Sequence, residues 1–244
     1  MNFYWFVVIT GATTVAAVIP VAPLVNDKVD RVLEDGVLCD IISNNGCVEP
    51  IRDFYMWNQS WWFWPEFFEG GLSGLGKGLR RFGDCAFELG NANVATCDIG
   101  FTDLWLRYQW RVKVKNRKLA QADQQDSPRA VVELGSMMAT VAGGTMRMTL
   151  RRESTGEARS TCTALKDTCD DGNFRVASIT TGQTEINEVV FGNSTVRWRR
   201  KELDTKEPDF QWRLRDMLAF WVTDYFETMT FKDIFNKALT TLKP

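Results

Sequence analysis

The opening run from Phe3 to Val25, 23 residues without a charged side chain, constrains this chain more than any other feature. A helix of that length reaches about 34 Å, enough to cross a hydrocarbon core of about 30 Å. Phe3, Tyr4, Trp5 and Phe6 supply an aromatic belt at one end. Asn26, Asp27, Lys28, Asp30 and Arg31 mark a wet edge at the other. Pro20 and Pro23 end the regular helix near its exit. A cleaved secretory signal is the competing reading, with small residues at Val21-Ala22-Pro23. It is disfavoured because no Lys or Arg precedes the apolar run. Residues 1–25 are therefore expected to form a single transmembrane anchor. Lys28 and Arg31 on its C-terminal side favour a body on the inner side of the membrane.

The cysteines argue for the opposite side. Six of them fall into three close pairs, Cys39 with Cys47, Cys85 with Cys97, and Cys162 with Cys169. Six cysteines allow about 15 connectivities, but the local pairing reads as three short-loop disulfides of about 2–3 kcal/mol each. Bridges persist in oxidising spaces, so the body is expected in an intermembrane space, a lumen, the exterior or a virion surface. Asn58 and Asn193 each open an Asn-x-Ser/Thr triplet and are candidate glycosylation acceptors.

The chain contains no histidine. That excludes Ser-His-Asp and Cys-His catalysis, histidine-ligated zinc and the usual general base near neutral pH. No Cys-x-x-Cys spacing replaces it as a metal site. Gly71 to Lys77 matches the Gly-x-x-x-x-Gly-Lys spacing of a phosphate loop, but Gly78 stands where Ser or Thr must hold Mg²⁺, and no apolar strand precedes it. No carboxylate pair is fixed beside a nucleophile. The expectation is a non-enzyme with no catalytic residues, metal, cofactor or small-molecule substrate.

Two surfaces stand out instead. Residues 54–68 hold nine aromatics in fifteen positions. Of these, Trp57, Trp61, Trp62, Trp64, Phe67 and Phe68 are assigned to a membrane or partner surface, a core aromatic cluster being the alternative. Arg107 to Lys118 holds six basic residues and no acid. Arg111, Lys113, Lys115, Arg117 and Lys118 are assigned to a basic face for anionic lipid or an acidic partner. The segment reads either as a loose helix from Thr102 or, from Trp110 to Lys115, as an alternating strand. Net charge is −2 overall, which gives no reason to expect nucleic acid as a partner. Residues 1–100 carry 6 basic and 12 acidic side chains (−6), whereas 101–244 carry 23 and 19 (+4).

The expected fold class is α+β. It comprises an N-terminal transmembrane helix, an antiparallel β meander or small sandwich, and C-terminal amphipathic helices. The expected order is an anchor (1–25), an acidic aromatic membrane-proximal region with disulfides (26–119), and a polar linker (120–129). An antiparallel β region (130–201) and C-terminal helices (202–244) follow. Turns are expected at Ser154-Thr155-Gly156, Thr180 to Gln183 and Gly192-Asn193. Arg147, Arg151, Arg197 and Arg199 are candidates for one basic face of that region. Thr230 to Asp233 resembles a capping box before the last helix.

These features fit a non-catalytic accessory or scaffolding subunit of a multi-subunit membrane complex, with lipid and other membrane subunits as partners. By class-level analogy, subunits of mitochondrial respiratory-chain complexes are built this way, with the body in the intermembrane space. The competing class is a membrane-anchored ectodomain, cellular or viral, that binds a partner or a membrane. A third reading, lipid held inside the β region, requires a cavity.

Overall fold

Two-residue alternation of apolar and polar side chains dominates the described strands between residues 63 and 191 and builds long antiparallel pairs. The computed structural model describes residues 23–34, 36–42, 47–56, 63–88, 91–115, 129–153, 174–192, 195–198 and 201–242. Helices α1 (Pro23–Glu34) and α2 (Val37–Ile42) precede strands β1 (Val48–Ile51), β2 (Phe54–Tyr55) and β3 (Phe63–Ser73). The single-turn helix α3 (Leu75–Gly78) leads into β4 (Leu79–Glu88), β5 (Asn91–Phe101), β6 (Leu104–Lys115), β7 (Arg129–Arg152) and β8 (Phe174–Phe191). A small ribbon, β9 (Thr195–Trp198) with β10 (Lys201–Asp204), precedes α4 (Pro208–Glu227) and α5 (Met229–Thr241).

Strand β7 is the spine. One edge pairs with β6 and then β5, and the other pairs with β8. Strands β5 and β6 lie end to end in one register, with Phe101 opposite Gly144 and Leu104 opposite Val141. Thr102 and Asp103 form the break between them, and Asp103 takes the left-handed conformation (φ +54°) that Asp tolerates better than most residues. Strands β3 and β4 likewise follow each other along the far edge of the β6–β5 run. Gly74, at φ +96°, starts the α3 turn between them, and Gly76 sits against the Cys39 sulfur where no side chain fits. These glycines of the phosphate-loop spacing serve turning and close packing.

Alternation sends one face of the sheet inward. Leu106, Tyr108, Trp110 and Val112 of β6, and Met137, Ala139, Met146 and Met148 of β7, are buried. Helix α4 lays Phe210, Leu214, Leu218, Val222 and Phe226 against this face, and α5 adds Phe231, Phe235 and Ala238. Phe226 meets Phe101 at 4.8 Å and Phe231 at 4.9 Å between ring centroids. A void of about 10 Å³ between α1, α5 and the sheet, lined by Val29, Leu150 and Leu239 among others, is the size of one water rather than a lipid chain.

The helices also complete the edge of β8. The Thr181 amide donates to Glu227 at 2.8 Å, and the Val176 amide donates to Asn236 at 2.7 Å. Helix α1 closes the β4 end, where Arg81 pairs with Asp30 at 2.6 Å and the Cys85 amide donates to Asn26 at 2.9 Å.

The expected α+β class, antiparallel sheet and C-terminal helices are present. Disulfides Cys39–Cys47 and Cys85–Cys97 form, tying α2 to the start of β1 and β4 to β5. They fit an oxidising compartment. Cys162 and Cys169 lie outside the described residues.

Several expectations are corrected. Residues 26–34, placed in the membrane-proximal region, belong to α1, whose apolar stripe Val25, Val29, Val32 and Leu33 is buried. Pro23 to Val25 therefore belong to the body, Pro23 at a helix start where its missing amide costs nothing. Residues 1–22 of the expected anchor lie outside the described residues, and among the described residues no helix is long and apolar enough to cross a membrane. The helical reading from Thr102 gives way to strand β6, because alternate residues 104–112 are all buried. Thr180 to Gln183 is a bulge within β8, since Gly182 and Gln183 together oppose Thr145. Arg129, the last residue of the expected linker, already pairs with Lys115 as the start of β7, and residues 120–128 lie outside the described residues. The last helix starts at Met229 after Thr228, not at Thr230, and the Thr228 hydroxyl donates to the Tyr225 carbonyl at 2.6 Å. Among the described residues, one eight-stranded sheet backed by helices, with the two-stranded β9–β10 ribbon beside it, replaces the small-sandwich alternative.

Candidate functional site: the outer face of the sheet

The alternation that buries Tyr108 and Trp110 sends Trp105, Arg107, Gln109, Arg111 and Lys113 to the opposite face. Cross-strand pairing then fixes their neighbours. Trp64 lies opposite Lys113, Glu66 opposite Arg111, and Phe68 opposite Gln109. On the other side, Arg111 faces Leu134, Arg107 faces Met138, and Met138 faces Val190 of β8. Cations and large apolar side chains therefore interleave across four strands.

The apolar members are unusually open. Trp105, Leu134, Met138 and Val190 are 44%, 62%, 39% and 52% exposed. Their clustering on one face, rather than their individual exposure, is what marks a contact surface. Charge on this face is mixed: Arg107, Arg111 and Lys113 stand with Glu66 of β3, and exposed Glu185 and Glu188 precede Val190 on β8. Glu66 accepts from Arg111 at 2.6 Å and pairs with Lys113 at 2.5 Å. The Arg111 hydrogen bond, helped by Lys113, holds the Glu66 carboxyl down at about 2 against the opposing effect of burial. One acid is thus shared by two cations, and Arg107 makes no ion pair among the described residues. The Arg111 guanidinium also lies 4.9 Å over the Phe68 ring, a cation–π contact that ties a charged member of the face to an aromatic one.

Two separate sequence expectations meet here, since Trp64 and Phe68 of the aromatic set stand beside Arg111 and Lys113 of the basic set. Phe67 does not belong to the surface. It is fully buried, stacked on Phe54 at 4.7 Å and edge-on to Tyr108 at 6.3 Å. Lys115 ends β6, while Trp57, Asn58, Trp61, Trp62, Arg117, Lys118 and Asn193 lie outside the described residues. Arg147, Arg151 and Arg197 do not form one face. The first two are on β7, with Arg147 paired to Asp98 at 2.8 Å, and Arg197 is on the separate β9–β10 ribbon, paired to Glu202 at 3.0 Å. Arg199 lies outside the described residues. Sequence reasoning missed Trp105, Leu134, Met138 and Val190, whose local alternation is visible but whose common face requires the register.

No family model and no curated protein matches the sequence. Solved structures similar to it include Epiphyas postvittana Takeout 1, at 11% identity over 89% of this chain and 87% of that chain, with TM-score 0.38. Lipopolysaccharide binding protein is similar at 13% identity over 90% of this chain and 40% of that chain, with TM-score 0.38. Mmm1 is similar at 9% identity over 81% and 70%, with TM-score 0.26. At such scores the likeness carries no weight, and the site stands on this chain's own residues.

Proposed function

We propose that this chain is a membrane-surface binding protein that serves as a non-catalytic accessory body at a bilayer, docking through the outer face of β3, β6, β7 and β8. The observation that supports this reading is the interleaving of Arg107, Arg111 and Lys113 with Trp64, Phe68, Trp105, Met138 and Val190 on one solvent-facing surface. Cations near anionic headgroups contribute about 1 kcal/mol each, and tryptophan rings favour the headgroup depth. The two disulfides fit an extracytoplasmic or luminal membrane face.

Flotation of the oxidised protein with vesicles tests the reading. Binding to phosphatidylcholine vesicles containing phosphatidylglycerol, and weak binding to phosphatidylcholine alone, is the expected result. Equal partition to both, or to neither, removes the lipid surface as the occupant of this face. A stoichiometric set of membrane subunits co-purifying with a protein that ignores vesicles would assign the same face to a protein partner.

A further inference from the structure

The end of β7, the start of β8 and the first half of α5 border a groove of about 640 Å³, lined by none of the docking-face residues. Four cations line it: Arg151 and Arg152 of β7, Arg175 of β8 and Lys232 of α5. Two carboxylates, Glu153 and Asp233, oppose them, which leaves an excess of two positive charges. Arg151 lies directly opposite Arg175 in the β7–β8 ladder. Like charges so placed repel unless a counter-charge joins them. Arg175 donates to Glu153 at 3.0 Å, whereas neither Arg151 nor Lys232 makes an ion pair among the described residues. The Arg152 guanidinium lies 5.6 Å over the Phe174 ring and adds its charge to the groove.

Two local features shape this lining. The Asn236 side-chain oxygen accepts from the Val176 amide at 2.7 Å, which fixes the orientation of the carboxamide. Its NH₂ group is left with no partner among the described residues. Beside it, Val176 opposes Leu150 and Ser178 opposes Thr149, so Ala177, which also lines the groove, is the extra residue of a bulge. Bulges re-aim side chains and recur beside sites. The donors are open to a ligand: Arg151 and Arg175 are exposed, and Lys232 and Asn236 are half-buried. Donors from two strands and one helix therefore line one groove, with less negative than positive charge among them.

We propose that this groove binds a phosphate group, its oxygens accepting from Arg151, Arg175, Lys232 and the Asn236 amide. A phosphate dianion matches the excess of two charges and offers oxygens in several directions to donors on separate elements. A carboxylate supplies half the charge in a single plane. A neutral polyol leaves the facing arginines without a counter-charge, and a cation is repelled by them. The groove is far larger than the phosphate itself, which leaves room for the remainder of an ester. Free phosphate, a soluble phosphomonoester and a lipid phosphate share the required chemistry.

The test follows the backbone amide signals of Arg175, Ala177 and Lys232 in the ¹⁵N-labelled, oxidised protein. Inorganic phosphate is expected to shift them saturably, and sodium chloride at matched ionic strength is expected not to. Arg151→Ala and Lys232→Ala should each weaken phosphate by about fivefold. Lys237→Ala, at an exposed position of α5 outside the groove, should leave the affinity unchanged. Tighter binding of dihexanoyl phosphatidic acid than of glycerol 3-phosphate supports a lipid phosphate as the ligand; equal affinity supports a soluble ester. No saturable shift, an equal response to chloride, or equal affinity in the Arg151, Lys232 and Lys237 variants overturns the proposal. Because the groove shares no residue with the outer sheet face, Arg107→Glu should leave phosphate binding intact even if vesicle binding fails.

Discussion

Phe67 and Phe68 are chemically identical neighbours on opposite faces of β3, and replacing each with alanine tests the strand register directly. Phe67 is fully buried, with Phe54 stacked at 4.7 Å and Tyr108 and Phe191 each at 6.3 Å. Truncation there loses the transfer free energy of the ring and leaves a cavity in a packed layer, about 3–5 kcal/mol together. Phe68 is half-buried on the outer face, and its main specific contact is the Arg111 guanidinium at 4.9 Å. Its removal costs about 1 kcal/mol. With a urea m-value of about 2 kcal/mol/M, the midpoint should fall by about 2 M for Phe67→Ala and about 0.5 M for Phe68→Ala. Vesicle flotation should show the reverse order, with Phe68→Ala binding less and folded Phe67→Ala binding as the parent does. Equal midpoints, or a larger stability loss at Phe68, would refute the assignment, because a slip of one residue exchanges the two faces.

Other consequences follow from charge and covalent bracing. Arg107→Glu, a two-charge change on the outer face, should weaken binding to anionic vesicles by about thirtyfold at low salt, and by much less at high salt. The same change at exposed Arg215 on α4, away from that face, should have little effect; equal losses at both sites would reduce the surface to net charge alone. Replacing Cys85 and Cys97 together by alanine opens a bridge of sequence separation 12, and calorimetry should show a loss of about 3 kcal/mol. Glu66 titrates at about 2 in the folded protein and near 4.3 when unfolded. Its contribution is full above the unfolded value and disappears as pH falls toward 2. Discounted for partial exposure, it amounts to about 1 kcal/mol, and Glu66→Gln should remove that component from the stability–pH curve.

Much of the architecture was legible because its signals are local. Cysteine spacing named the Cys39–Cys47 and Cys85–Cys97 bridges. Alternation at Met146, Met148 and Leu150 marked an inward strand face, and the apolar stripe of Phe235, Ala238 and Leu239 marked a packed helix. Where the sequence misled, a non-local partner decided the outcome. Gly182 resembles a turn residue, yet Thr145 across the ladder holds it in a bulge. Phe67 and Phe68 are indistinguishable by composition until β6 supplies a register. Glu49 carried no signal at all, because a lone acid beside a valine reads as surface until Leu72 pins it inward.

The side chains that dock the helices have a second consequence for β8. This strand pairs with β7 on one edge, and the opposite edge of such a strand invites another polypeptide to add to the ladder. Glu227 and Asn236 occupy the Thr181 and Val176 amides on that strand, so the same contacts that seat α4 and α5 also deny an incoming strand two of its anchoring donors. Loosening the helices would thus do more than lower stability. It would uncover a pairing-competent, 18-residue template, making self-association the first visible symptom of any lesion in the helix–sheet contact.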